Sequence, residues 1–303
     1  MTGVGLCLPQ LGPHVTGPVV QEFCQRAEAR GFTSLWVQEH LFHPHEPSSG
    51  YAGRAGNPVP AQYVSALAAT ELLTAAAAWT TSPTIGTSIL VAGYHRPVDL
   101  AQRLATIDLL SDGRLIVGFS VGWSDDEHAQ MDVDPRTRGA RCDELVDALN
   151  ACWGPDPVSY SGRFFEIPEA DVRPKPVQRP RPKLMSGMRS EAGLRRTAER
   201  FDIWNPASGT LDQHLETYAR LGTMRPPGLA PLEMYWYLFV QPPVEVANLR
   251  TLTIDELTEH VAQARDAGVD AVMVDANFWS EIDSAERWVG VPDRLAPILS
   301  AAR

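Results

Sequence analysis

A chain of 303 residues, 44% hydrophobic and 21% charged, has ordinary globular composition and is long enough to bury a large core. Its formal net charge of −11 argues against nucleic acid or an anionic membrane as the main partner. No run of about 18 consecutive apolar residues occurs, so no membrane-spanning helix is expected. The opening MTGVGLCLPQLG lacks the basic flank of a signal peptide and reads as a first strand, which makes a cytoplasmic protein the expectation.

The hydrophobic period switches repeatedly between that of strands and that of helices. Val4–Leu8 is a short apolar strand. A helix from about Pro18 to Arg30 follows and ends at Gly31, where a left-handed residue is expected. Ser34–Gln38 is the second strand and runs into Glu39-His40. A polar, Gly/Pro/Ser-rich loop reaches about Pro60, and an Ala-rich helix covers Tyr63–Trp79. Thr84–Leu90 is the third strand, and Pro97 opens a helix to about Leu110. The turn Ser111-Asp112-Gly113 leads to the fourth strand, Arg114–Phe119, and Thr137–Trp153 is again helical. Between Gly154 and Pro182 many prolines surround an alternating piece, Val158–Phe165, read as an insertion carrying a hairpin packed on the rest. Strands Lys183–Met185, Asp202–Trp204, Met234–Val240 and Ala271–Val274 follow. They alternate with helices Glu191–Arg200, Leu211–Leu221, Ile254–Ala267 and about Ser284–Ala301.

Eight strands with helices between them place the chain in the α/β class. They predict a (β/α)8 TIM barrel, one domain over 1–303, with an insertion at about 154–182 after the fourth βα unit. A doubly wound open sheet is the alternative, but Leu8-Pro9-Gln10-Leu11-Gly12 is not its Gly-rich first turn. Cys7, Cys24, Cys142 and Cys152 show no CxxC and no metal-type spacing, and are expected to be reduced and buried. Lys175 and Lys183 are the only lysines, a bias that with abundant Ala and Pro points to a GC-rich genome.

In a parallel barrel the C-terminal ends of the strands build the active site. Those ends carry Gln10, Glu39, His40, Ser88, Ile89, Ser120, Val121, Gly122, Trp123, Ser186, Gly187, Trp204, Asn205, Gln241 and Asn277. Small residues, aromatics and amides suit a large planar organic cofactor better than a hydrolytic metal site. Met185-Ser186-Gly187-Met188-Arg189-Ser190, ahead of a helix, reads either as a phosphate site or as an ordinary loop with Ser190 as N-cap. His40 beside Glu39 is either a proton-transfer group or a hydrogen-bonded structural histidine. His43-Pro44-His45-Glu46 lacks a third spaced metal ligand and is better read as a polar loop over the site. Asp108, Asp112 and Arg114 are explained by capping and turn pairing.

Several ordered stretches resemble the luciferase-like monooxygenase superfamily, and especially its deazaflavin-dependent actinobacterial branch. They run from Ala27–Phe32 and Leu35–His40 through Ile85–Leu90 and Tyr94–Pro97. Ala105–Arg114 with Gly118–Trp123 is the most specific block, and Arg138-Gly139, Trp153, Tyr160-Ser161-Gly162 and Pro174-Lys175-Pro176 continue the order. The resemblance implies a ring cofactor at the barrel mouth, backed by a non-prolyl cis peptide at Ser88–Ile89. It implies that Ser120, Val121 and Gly122 lie along the ring, and that Ser186, Gly187 and Met188 take the phosphate. His40, with Glu39, becomes the catalytic candidate, and Trp123, Trp204 and Asn205 the substrate-facing ones. Two departures stand out: Trp123 occupies a position where some dehydrogenases of the branch carry glutamate, and Ser186-Gly187 replaces the commoner Gly-Gly.

The resulting expectation is an enzyme that transfers hydride between reduced coenzyme F-420 and a small organic substrate such as an imine or enone. The alternatives are an FMN-dependent monooxygenase and, from another class, a non-catalytic cofactor-binding protein. No metal is expected. The resemblance further implies a homodimer and a separate reductase supplying reduced cofactor. Trp36 is read as either water-excluding or core.

Overall fold

The computed structural model describes residues 1–244 and 250–303. Eight parallel strands close on themselves: β1 (Gly3–Cys7), β2 (Ser34–Val37), β3 (Thr84–Thr87), β4 (Leu115–Ser120), β5 (Lys183–Ser186), β6 (Ile203–Trp204), β7 (Glu233–Phe239) and β8 (Ala271–Asp275). Each pairs with the next in chain order, and closure comes from β1 on β8, with Val4 opposite Val272 and Leu6 opposite Val274. This is the predicted (β/α)8 barrel.

The outer layer holds helices α1 (Gly17–Arg30), α2 (Ala69–Trp79), α3 (Pro97–Leu110), α4 (Asp125–Gln130), α5 (Arg138–Trp153), α6 (Glu191–Arg200), α7 (Leu211–Met224), α8 (Ile254–Asp266) and α9 (Ala285–Leu295). Their punctuation follows local chemistry. α1 carries Pro18 in its first turn and stops at Gly31, whose φ of 95° is the left-handed region that favours glycine. Thr210 and Thr253 form capping boxes with Gln213 and Glu256 at the starts of α7 and α8.

Strand alternation divides the core in two. Leu35 and Val37 pack outward under the helices. Trp36 points inward with Cys7, Ile116, Met185, Ile203, Tyr237 and Met273. Trp36 is fully buried, its indole N–H donating to Ser34 Oγ at 2.8 Å. Its ring occupies the space that glycines leave on the flanking strands. A Cβ at Gly86 would lie 2.3 Å from Trp36 Cζ3, and one at Gly5 2.8 Å from Nε1. Trp36 is therefore core.

The structure departs from the sequence reading where tertiary contacts override period. The third strand stops at Thr87, and after the cis Ser88–Ile89 bond only Leu90–Val91 rejoin β4. The helix expected from Tyr63 begins at Ala69, preceded by a short 3-10 turn at Ala61–Val64. The last helix ends at Leu295 and gives way to a 3-10 stretch, Ala296–Ala302. α4 was not anticipated at all. The segment 154–182 holds an antiparallel hairpin, Val158–Ser161 with Glu166–Ala170, and its Val158, Phe165, Ile167 and Val172 join the core beneath the helices. Buried Asp108 accepts from Val177 N, Gln178 N and Gln178 Nε2 at 2.7–3.0 Å. Arg114 donates to the carbonyls of Ala77, Thr80, Pro83 and Ser111, so both residues tie loops to the barrel's lower end. All four cysteines are buried and free, and burial pushes Cys24 and Cys142 up to about 12.

Candidate active site

The strands' C-terminal ends surround a cavity of about 560 Å³, a size typical of small-molecule sites. Four strand exits supply much of its wall, and each is held by contacts that sequence order hides.

The β2 exit carries Gln38, Glu39 and His40. Glu39 and His40 both line the cavity, but they take different partners. Glu39 Oε2 accepts from Val91 N at 2.7 Å and lies 3.1 Å from His95 Nε2, which ties it to the segment after β3. The partner of His40 is instead Glu127, with Oε1 3.2 Å from Nδ1. The same carboxylate accepts from Leu41 N at 2.8 Å and, on Oε2, from Tyr94 OH at 2.8 Å. Glu127 is 2% exposed. Burial alone would raise its pKa, but His40 and these hydrogen bonds outweigh it and hold the group below the usual carboxylate range.

Glu127 reaches the site on α4. Ser124 caps that helix, accepting from Glu127 N at 3.2 Å, and Asp125, Asp126 and Glu127 fill its first turn. The Ser124-x-x-Glu127 spacing is a helix-start pattern that would have located α4 from sequence.

Aromatic rings wall the His40 side. The His40 and Tyr63 rings lie 3.8 Å apart, Trp123 lies 5.7 Å from His40, and Tyr51 lies 5.3 Å from Trp123. Burial pushes Tyr51 up to about 12 and raises Tyr63 as well, so both phenols stay neutral. Apart from Trp123, sequence reading had placed none of Gln38, Tyr51, Tyr63, Tyr94 or Glu127 in the site.

At the β3 exit the Ser88–Ile89 peptide is cis, at the bond the resemblance implied. Ser88 Oγ donates to Asn205 Oδ1 at 2.8 Å, and Asn205 Nδ2 donates to Tyr235 O at 2.6 Å. At the β4 exit, Ser120, Val121, Gly122 and Trp123 all line the cavity. Gly122 has φ 75°, and a Cβ there would sit 2.6 Å from Val91 Cγ1 and 2.7 Å from His128 Cε1, so glycine is required. Buried His128 braces this turn, with Nδ1 2.7 Å from Ser124 O and Nε2 3.0 Å from Val121 O.

At the β5 exit, Gly187, Met188, Arg189 and Ser190 line the cavity. A Cβ on Gly187 would press on Ile89 Cγ2 at 3.2 Å. Ser190 caps α6 through Gly193 N at 3.1 Å; the loop is thus an N-cap whose residues also reach the cavity. Ser186 does not reach it. Its hydroxyl is buried against Thr197 Oγ1 at 2.7 Å. Trp204 is also removed from the cavity, 2% exposed with its N–H on Met188 O at 3.1 Å.

Gln10 and Asn277 form a buried brace, with Asn277 Oδ1 accepting from Gln10 N at 3.0 Å. Gln241 holds Ser280 N at 2.8 Å. His43 lies 3.4 Å from Val59 O, and among the described residues no three His, Cys, Asp or Glu are grouped as metal ligands.

The chemistry of this wall fits a planar ring with an anionic tail. Gly122 and Gly187 line the cavity with backbone alone, Ser88 and Asn205 are uncharged, and Arg189 stands beside the start of α6. Helix starts present unpaired N–H groups to anions.

The family model for luciferase-like monooxygenase matches residues 1–225. An uncharacterized protein of Mycobacterium tuberculosis is 31% identical over 179 residues, 59% of this chain and 64% of that protein. An FMNH2-dependent dimethylsulfone monooxygenase of Pseudomonas putida is 33% identical over 148 residues, 47% of this chain and 37% of the enzyme. An F-420-dependent glucose-6-phosphate dehydrogenase of Amycolatopsis mediterranei is 31% identical over 161 residues, 52% of this chain and 44% of the enzyme. The matched stretches thus span less than two thirds of these relatives' lengths. Among solved structures, monooxygenase RslO1 of Streptomyces bottropensis superposes with TM-score 0.73 at 18% identity, covering 99% of both chains. An F-420-dependent secondary alcohol dehydrogenase superposes with TM-score 0.72 at 15% identity, covering 100% of this chain and 99% of that one. These two likenesses concern the fold. The chain belongs to the luciferase-like monooxygenase family of flavin- and F-420-dependent oxidoreductases.

Proposed function

We propose that the protein is an F-420-dependent oxidoreductase that transfers hydride between the reduced deazaflavin and a small organic acceptor such as an imine or enone. The observation that carries this reading is the His40–Glu127 pair on the wall of an amide- and aromatic-lined cavity. When bound, the deazaflavin supplies two-electron hydride chemistry, and the protein supplies alignment, water exclusion and a proton.

Each contribution maps onto named residues. Gly187, Met188, Arg189 and the start of α6 hold the anionic tail. Ser120, Val121, Gly122 and the Ser88–Ile89 wall bear on the ring. Tyr51, Tyr63 and Trp123 exclude water on the substrate side. Glu127 orients His40 through Nδ1, which leaves Nε2 to exchange the proton with substrate. Glu39 is a positioning residue that holds the Val91–His95 segment. Asn205 fixes Ser88, and Trp204 backs the Met188 loop.

The second reading, an FMN-dependent monooxygenase fed by a separate reductase, is favoured by the similarity to the FMNH2-dependent relative. Equilibrium titration of the apo-protein with F-420 and with FMN, read by ring fluorescence, separates the two. Tighter binding of F-420 supports the reductase; tighter binding of FMN transfers the same residues to the monooxygenase. Binding of neither overturns the site.

We further take the chain to act in the cytoplasm as one domain and a homodimer. The homodimer rests on the family resemblance alone. Light scattering of the purified protein checks the dimer.

A further inference from the structure

Gln38 is fixed twice over. Its backbone N–H donates to Gln10 Oε1 at 2.8 Å, and its carbonyl accepts from Gln10 Nε2 at 2.5 Å. Its side-chain Oε1 accepts from Tyr63 OH at 3.2 Å, and the Tyr63 ring lies against His40. With Oε1 turned to the phenol, Nε2 has no partner among the described residues although it is buried. An unpaired buried donor costs about 1–3 kcal/mol, and Gln38 belongs to the cavity wall. Gln38 and His40 stand together on the cavity wall, just past the end of β2.

We propose that Gln38 Nε2 is the recognition donor for the substrate's acceptor atom, a carbonyl oxygen or imine nitrogen whose unsaturated body lies among Tyr51, Tyr63 and Trp123. The proposal rests on the cavity being the active site. A neutral amide donor flanked by neutral phenols suits an uncharged acceptor rather than a carboxylate. Positioned by Gln38, that acceptor lies beside His40, the proton source. A carbonyl on the cofactor ring offers the same chemistry, and the experiment separates the two sources.

The probe is cyclohex-2-enone, with cyclohexene as a control of similar shape. Both are titrated into protein saturated with whichever of F-420 or FMN it binds, and the enone's carbonyl stretch is read by infrared difference spectroscopy. Wild type is expected to bind the enone at least about tenfold tighter than cyclohexene and to lower its carbonyl stretch. Q38E keeps an oxygen for Tyr63 and removes the donor; Q38L removes both without adding charge. In each folded variant, verified by circular-dichroism melting, the preference and the shift should vanish while cofactor affinity stays within about twofold. Retention of both signals in the variants would overturn the proposal. So would a loss confined to cofactor affinity, which assigns the donor to the ring. A wild type that binds cofactor without preferring the enone overturns the carbonyl class. Failure to bind either cofactor overturns the site itself, a result distinct from all of these.

Discussion

His40 owes its orientation to a carboxylate 87 residues further along the chain. That dependence separates two substitutions. His40→Ala is expected to leave cofactor affinity within a few-fold but to lower turnover by about 100-fold or more, the size of a lost proton-transfer group. Unchanged turnover in single-turnover kinetics would remove His40 from the mechanism. Glu127→Gln keeps the volume and loses the charge, so turnover should fall by about tenfold or more with a displaced pH profile. Because Glu127 is held below its ordinary value in the fold, its stabilisation is complete above the unfolded pKa and is lost as pH falls through the folded one. Acid denaturation of Glu127→Gln should therefore lack this component, as urea melts at pH 7 and pH 3 would reveal.

At the scale of elements, the exit of β4 has no room for a Cβ at Gly122, whereas that of β5 is only tight at Gly187. Gly122→Ala combines a left-handed φ with a Cβ inside the contact distance of Val91 and His128. A loss of about 1–3 kcal/mol and weaker cofactor binding are expected from denaturation curves and titration. Gly187→Asp should leave the fold closer to intact and damage cofactor binding, since a carboxylate would repel the anionic tail. Normal affinity in that variant would displace the tail from the β5 loop. Far from the mouth, Glu28 joins α1 to the turn after α2. Burial raises its pKa, but hydrogen bonds from the backbone N–H groups and hydroxyls of Thr81 and Ser82 bring it down to about 2. Its stabilisation is present above the ordinary value and fades as pH falls toward 2. Glu28→Gln should lower Tm by a few degrees at pH 7, and by less at pH 3.

At the scale of the whole molecule, barrel closure depends on what fills the interior. Trp36 occupies the space over Gly5 and Gly86, and its neighbours cannot collapse into a void without breaking strand pairs. Trp36→Ala is expected to cost about 3–5 kcal/mol by urea denaturation. A value below about 1 kcal/mol would show that the barrel interior is not packed around it.

Much of this architecture was legible in the chain itself. Apolar periods marked every barrel strand, Gly31 and Pro97 punctuated helices, and the ordered motifs pointed to the β2, β3, β4 and β5 exits. What escaped were residues whose roles depend on being brought together. Glu39 sits beside His40 in sequence, yet its partners are Val91 and His95, while Glu127 arrives from a helix too short to show a period. Tyr63 and Gln38 look like a loop aromatic and a strand-end amide until the fold sets one against the other. Trp204 and Ser186 stand at strand ends, but their side chains turn into the packing behind the β5 loop. Sequence determined the barrel and its rim because hydrophobic period and turn chemistry are local. Only the tertiary structure decided which rim side chains share the cavity, because partners and burial are set by strands and helices distant in the chain.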